Sequence, residues 1–98
     1  MLRTYFVYII ECKDGTYYTG ITNDIDSRFE QHKQGLNPSS FTAKRRPLKL
    51  VWTEEFRYVN DAISWEKQIK KWSKAKKRAL INGDMTALIE AAKKRFDG

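Results

Sequence analysis

Cysteine is all but missing from this sequence: Cys12 stands alone in 98 residues. A lone thiol excludes an internal disulfide and any zinc site built on cysteines. Proline is nearly as scarce, with two residues, and glycine contributes five. No stretch is rich enough in either to act as a linker, and no repeat or low-complexity tract interrupts the chain. Residues 1–98 are therefore expected to form one domain. No apolar run approaches the roughly 20 residues that a membrane-spanning helix needs. The first segment, MLRTYFVYIIECKDG, has a basic residue followed by an apolar stretch. It carries tyrosines and lacks a small-residue cleavage site, so it reads as a strand rather than a leader, and the chain as cytoplasmic. Acidic residues are in deficit too, 12 against 19 Lys plus Arg, which leaves a formal net charge of +7. That balance points to a polyanionic partner, either nucleic acid or an anionic membrane surface.

What the chain does have is large side chains, with 41% apolar and 13% aromatic residues. That supply is enough for one core and excludes a disordered chain. The positive charge is concentrated. Residues 44–49 hold Lys44, Arg45, Arg46 and Lys49 without an acid, and residues 67–78 hold Lys67, Lys70, Lys71, Lys74, Lys76, Lys77 and Arg78, again without one. A single basic run is as well explained by a solvated helix face. Two acid-free runs in so short a chain favour a phosphate-binding surface.

The order of elements follows from pattern. YFVYIIEC, residues 5–12, is β-branched and aromatic and reads as a strand, and TYYTGI, residues 16–21, as its return. A two-residue turn at Asp14-Gly15 would put Tyr8 and Tyr18 on opposite faces. A three-residue loop with Gly15 left-handed pairs Tyr8 with Gly20 and Ile10 with Tyr18, and sets both tyrosines on one face. Large apolar groups on both faces of this hairpin call for helices on both sides. Asn23 is expected to cap a helix with Ile25 and Phe29 facing the core and Gly35 ending it. A basic loop with a short helical turn leads to a third strand, residues 48–56. Asn60 is expected to cap the next helix, whose buried stripe is Ala62, Trp65, Ile69 and Trp72. Ser73 caps a short helix that stops at Asn82-Gly83. Asp84 caps a last one, with Met85, Leu88, Ile89, Ala92 and Phe96 on one face. The order β-β-α-β-α-α-α is an α+β domain with a small, mostly antiparallel sheet.

Several residues form a recognisable constellation: Val7-Tyr8-Ile9, then Tyr18-Thr19-Gly20, then Arg28 and His32 one turn apart, then Glu66 on a later helix. In this order and spacing, over about residues 4–83, the chain resembles the GIY-YIG nuclease domain, and within it the small single-domain bacterial UPF0213 (YhbQ-like) proteins. The resemblance implies a three-stranded antiparallel sheet flanked by helices and metal-dependent hydrolysis of a DNA phosphodiester. It gives Tyr8 and Tyr18 as the motif tyrosines, Gly20 as the motif glycine, Arg28 as the helix arginine and Glu66 as the metal carboxylate, with His32 shared by the closest subgroup. The first motif departs from its namesake, reading Val-Tyr-Ile without the Gly-Ile.

These residue types suit the chemistry. One Glu on a rigid helix is enough for Mg²⁺ (or Mn²⁺), which keeps several waters. Arg28 offers a permanently charged fork for a phosphate. Tyr8 is the expected base, with its pKa pulled down by Arg28 or the metal, Tyr18 orients water or a phosphate oxygen, and His32 is a second proton acceptor. Lys44, Arg45, Arg46, Lys67, Lys70, Lys71 and Lys74 are expected to meet the DNA backbone. Simpler roles exist for each: Glu66 can pair with Lys70, and the tyrosines can be core aromatics. One explanation covering five positions outweighs five separate ones. The expected function is a Mg²⁺-dependent, structure-selective DNA endonuclease acting in DNA repair or recombination. The alternative is an inactive nucleic-acid-binding module of the same fold. Sequence specificity is expected to be low unless a protein partner or a dimer supplies it.

Overall fold

A hairpin lies at the centre of the architecture. The computed structural model describes residues 4–35 and 41–84. Strands β1 (Tyr5–Cys12) and β2 (Tyr17–Thr22) are followed by helix α1 (Ile25–Gln34), a 3₁₀ turn (Ala43–Arg45), strand β3 (Leu48–Phe56) and helices α2 (Val59–Lys71) and α3 (Lys74–Asn82). The sheet is antiparallel with β1 in the middle, in the order β2-β1-β3. This is the α+β architecture that the sequence implies. The helix expected after Asp84 lies outside the described residues.

The hairpin register is the three-residue one. Tyr8 pairs with Gly20 and Ile10 with Tyr18. Gly15 sits at φ 83°, a conformation that L side chains rarely adopt, and its N–H donates to the Cys12 carbonyl. Asp14 stabilises the turn by accepting from the Thr16 N–H at 3.1 Å and its hydroxyl at 2.6 Å. These bonds hold the Asp14 carboxyl below the usual carboxylate range.

Alternation along β1 divides the core in two. Val7 and Ile9 face α2 and pack with Ala62 and Ile69, joined by Tyr17, Ile21, Trp52, Trp72 and Leu80. Tyr8, Ile10 and Cys12 face α1, against Tyr18, Ile25, Phe29, Leu48 and Leu50. Val7, Ile9 and Ile10 are fully buried, and each stabilises the fold by about 1.5–3 kcal/mol. A bulge in β3 keeps both faces consistent. Ile9 opposes Trp52 while Ile10 opposes Leu50, so Val51 is the extra residue and joins Trp52 on the α2 side. Cys12 is 4% exposed and its thiol is pushed up by burial, so it is a small strand hydrophobe, as expected.

Three expectations are corrected. The cap of α1 is Asp24, not Asn23: the Asp24 carboxylate accepts from the Ser27 N–H, while Thr22 Oγ1 accepts the Asp24 N–H and fixes that residue outside the helix. Helix α2 begins before Asn60. Its first turn closes on the Tyr58 carbonyl without a side-chain cap. Trp65 is 41% exposed rather than part of the buried stripe, meeting the Phe56 and Trp72 rings from outside. Gly35, Ser73 and Gly83 end or cap their helices as expected.

Candidate active site

Tyr8 is the centre of the candidate site. Its ring is 1% exposed and crosses from β1 over Gly20 on β2. A Cβ at Gly20 would stand 2.9 Å from Tyr8 Cε1 and closer still to Cζ and the hydroxyl. Gly20 is therefore required for space, since its φ is not positive. Beyond the ring, the Tyr8 hydroxyl is 3.1 Å from His32 Nε2. On the other side of the imidazole, Nδ1 is 2.7 Å from Thr42 Oγ1. Thr42, 1% exposed, belongs to the loop before the 3₁₀ turn. The result is one hydrogen-bonded line, Tyr8–His32–Thr42, contributed by β1, α1 and a loop.

Tyr18 closes the group from β2. Its ring centroid lies 6.2 Å from that of Tyr8, 5.1 Å from His32 and 6.0 Å from Phe41, on which it stacks. Arg28, one turn before His32 on α1, is exposed, yet its charge acts on buried Tyr8 and on half-buried His32. Burial pushes the Tyr8 phenol well above its ordinary value, and Tyr18 adds to this; Arg28 opposes the rise without overcoming it. The expected fall in the Tyr8 pKa is thus reversed, because desolvation of the phenolate outweighs one partly solvated guanidinium. His32 is pulled down from 6.5 by burial and then by Arg28, so its imidazole is neutral at pH 7.

Glu66 stands apart from this cluster. It lies on α2 between Ala62 and Ile69, the residues that pack against Val7 and Ile9 on the opposite face of the sheet. Its side chain is 16% exposed and its carboxylate pairs with Lys70 Nζ at 3.1 Å. The simpler role expected for Glu66 is therefore present in the structure. Thr19, which opposes Ile9 and so points to the α2 side, is 4% exposed, and its hydroxyl has no partner among the described residues. Strand β2 is one edge of the sheet and β3 the other.

Comparison with known proteins agrees with this fold. Residues 4–79 match the GIY-YIG catalytic domain. The chain belongs to the GIY-YIG family. Among its relatives, UPF0213 protein BH0048 of Halalkalibacterium halodurans is 41% identical over 78 residues, spanning 80% of this chain and 82% of that one. A UPF0213 protein of Staphylococcus aureus is 38% identical over 80 residues, 82% of this chain and 96% of its own. The solution NMR structure of BH0048 superposes with a TM-score of 0.55 at 40% identity, covering 83% of this chain and 85% of that one. That of EF2693 from E. faecalis gives 0.59 at 28% identity, with coverages of 82% and 84%.

GIY-YIG nucleases generally use a divalent metal, and the donors present here can be compared with that need. Among the described residues no group of three or more His, Cys, Asp or Glu side chains could cage an ion. A single carboxylate suits Mg²⁺ that keeps most of its waters and completes its shell with substrate phosphate. Glu66 therefore fits a hydrated ion.

The GIY-YIG scaffold uses part of the basic run before β3 internally. The Arg45 guanidinium lies 3.9 Å over the Phe41 ring, donates to the Phe41 carbonyl at 2.8 Å and pairs with Asp14 at 3.2 Å. Arg46 donates to the Ala43 carbonyl and, at 3.4 Å, to the Lys33 and Gln34 carbonyls at the end of α1. Lys44 is exposed. Of the second run, Lys67, Lys70, Lys71 and Lys74 are exposed, and Lys70 is held by Glu66. The Lys74 ammonium lies 5.9 Å from the Tyr17 ring centroid. Changing Lys67, Lys71 and Lys74 together to Gln is expected to weaken DNA binding and lower the magnitude of the salt slope by about 2–3, at about 0.7–0.9 per phosphate contact. An unchanged slope in fluorescence anisotropy titrations would make these lysines a solvated face only. Sequence reasoning missed Thr42 and Phe41. A loop hydroxyl and a loop ring carry no periodic signal, and only their place just before the basic run marks them.

Proposed function

We propose that this chain is a divalent-metal-dependent endonuclease that hydrolyses DNA phosphodiester bonds with selectivity for structure rather than sequence. The observation that carries the reading is the half-buried Tyr8–His32–Thr42 line beside Arg28. Hydrolysis needs a proton acceptor for the attacking water, and a phenol with a raised pKa is a poor one alone. Hydrogen-bonded to a neutral imidazole, it need never ionise. As water gives a proton to the Tyr8 oxygen, the Tyr8 proton passes to His32 Nε2, and the water oxygen bonds to phosphorus. The P–O bond to the leaving oxygen breaks, the released alkoxide takes a proton from solvent, and the proton on His32 is then lost to solvent. Burial and Arg28 both disfavour the imidazolium, which speeds that last step. Arg28 supplies a fork for a non-bridging phosphate oxygen, and Tyr18 orients that oxygen or the water. A Mg²⁺ or Mn²⁺ ion held by Glu66 would stabilise charge on the phosphoryl and leaving oxygens.

The Glu66–Lys70 ion pair favours a second reading, a binding module without turnover. Incubation with supercoiled, linear and branched DNA, with Mg²⁺ or Mn²⁺ and with a chelator, separates the two. Metal-dependent cleavage is expected, and its absence on every substrate would leave the binding module. Tyr8→Phe keeps the ring and its packing but removes the relay, so cleavage is expected to fall by about 10²-fold or more. A Phe variant that cuts at the wild-type rate would rule out Tyr8 as the acceptor. The acid limb of the rate profile is also specified. Only neutral His32 accepts the proton, and its pKa is lowered, so activity should persist below pH 6.5 and fall as pH drops through the lowered value. An acid limb above pH 7 would contradict this.

A further inference from the structure

We propose that Thr42 is a positioning residue that fixes the tautomer of His32, placing the ring proton on Nδ1 and leaving the Nε2 lone pair for Tyr8. This rests on the nuclease reading for its consequence, though not for its geometry. A neutral imidazole carries one N–H, and the hydrogen bond at one nitrogen selects what the other offers. Both ring nitrogens of His32 face a hydroxyl, Tyr8 at 3.1 Å and Thr42 at 2.7 Å. The two hydroxyls are not equivalent. A phenol O–H is a far stronger acid than an aliphatic one, and its oxygen a weaker acceptor. Tyr8 therefore donates to Nε2, while Thr42 Oγ1 accepts from Nδ1–H. The nearby Arg28 charge favours the same assignment, because it stabilises negative charge building on the Tyr8 oxygen.

Thr42 is well placed to hold this orientation. It is 1% exposed, and the turn that follows it is tied down. The Arg45 N–H donates to the Thr42 carbonyl at 3.0 Å, and the Lys13 N–H to the Arg45 carbonyl at 3.0 Å, which ties the loop to the hairpin turn. Next to it, Phe41 lies between the Tyr18 ring and the Arg45 guanidinium as a stacking partner of both. With the loop anchored to the hairpin, the hydroxyl is held where α1 brings the imidazole. The reverse tautomer would put a proton on Nε2, where it blocks the path from Tyr8.

The chain has a single histidine, so its ring ¹⁵N signals need no assignment. Long-range ¹H–¹⁵N spectra of the full chain at neutral pH are expected to show one tautomer, protonated at Nδ1. Thr42→Val keeps the shape and removes the acceptor. It should shift His32 toward the Nε2–H form, and lower kcat about 10–100-fold with KM changed less than about twofold. Thr42→Ser should restore both the tautomer and most of the rate. A wild-type ring protonated at Nε2, or a Val variant that keeps the Nδ1–H tautomer, would overturn the proposal. Because the wild-type spectrum decides the tautomer, the test survives even if the Val variant fails to fold. The spectra need no cleavage. A tautomer that responds to Thr42 in a protein that cuts no DNA would uphold the positioning role and reject the nuclease reading instead.

Discussion

Glu66→Gln is expected to lower cleavage by about two orders of magnitude or more while leaving the fold and DNA binding in place. Glutamine keeps the size and shape of the side chain, and the apolar neighbours that seat α2, Ala62 and Ile69, are unchanged. What is lost is the anionic ligand. Lewis-acid stabilisation by a metal is worth several kcal/mol, and each 1.4 kcal/mol is a factor of ten in rate. DNA binding should persist or tighten, since one negative charge near the phosphates is gone. If Glu66 serves only as the partner of Lys70, whose side chain is 54% exposed, the substitution costs well under about 1 kcal/mol and leaves cleavage intact. Plasmid-nicking rates, thermal melting and anisotropy titrations on the same preparation separate the outcomes. Nicking by the Gln variant at the wild-type rate would end the metal assignment.

Gly20→Ala should be the most damaging conservative change in the sheet. The new methyl group falls on three atoms of one rigid, fully buried ring, so no flexible side-chain end can yield. Either the strands part or Tyr8 leaves its slot and the bond to His32 is broken. Overpacking of this kind costs about 1–3 kcal/mol, which in a chain of this size lowers the melting temperature by roughly 5–20 °C. Cleavage should fall at least as far as in Tyr8→Phe. The penalty should largely vanish when Tyr8 is also made Leu, giving a coupling energy of about 1–3 kcal/mol in a double-mutant cycle. A Gly20→Ala protein that melts within a degree of wild type would mean that the ring does not lie over Gly20.

The hairpin was legible because its determinants are local. Only a three-residue loop with a left-handed Gly15 puts Tyr8 and Tyr18 on one face, and the pairing obeys it. The strand β3 and the helix ends at Gly35 and Gly83 are equally local. The choice between Asn23 and Asp24 as cap was not, since both side chains can cap and the decision falls to Thr22, two residues earlier, which accepts the Asp24 N–H. Trp65 repeats at helical spacing, yet its ring stays 41% exposed, touching the Phe56 and Trp72 rings, a placement that helical spacing alone does not specify. The direction of the Tyr8 pKa depends on how deeply the phenol is buried between β2 and α1, which only the assembled fold specifies. Thr42 lies ten residues beyond His32, across a loop, and no spacing rule announces it. The residues themselves could be named in advance; their electrostatic state and their partners could not.

Helix α1 contributes no buried residue, whereas β1 contributes five. Such an element opens on its own at a lower free-energy cost than the sheet, so its amides should exchange with deuterium by a sub-global route while those of β1 wait for complete unfolding. Arg28 and His32 ride on the part that opens, and Tyr8 and Tyr18 on the part that does not. The fraction of molecules carrying an assembled relay should then follow the local opening equilibrium of one ten-residue helix rather than the global stability. The Arg46 bonds to the last carbonyls of that helix thereby become a control on how much of the protein is competent at any moment, from a residue that touches neither ring.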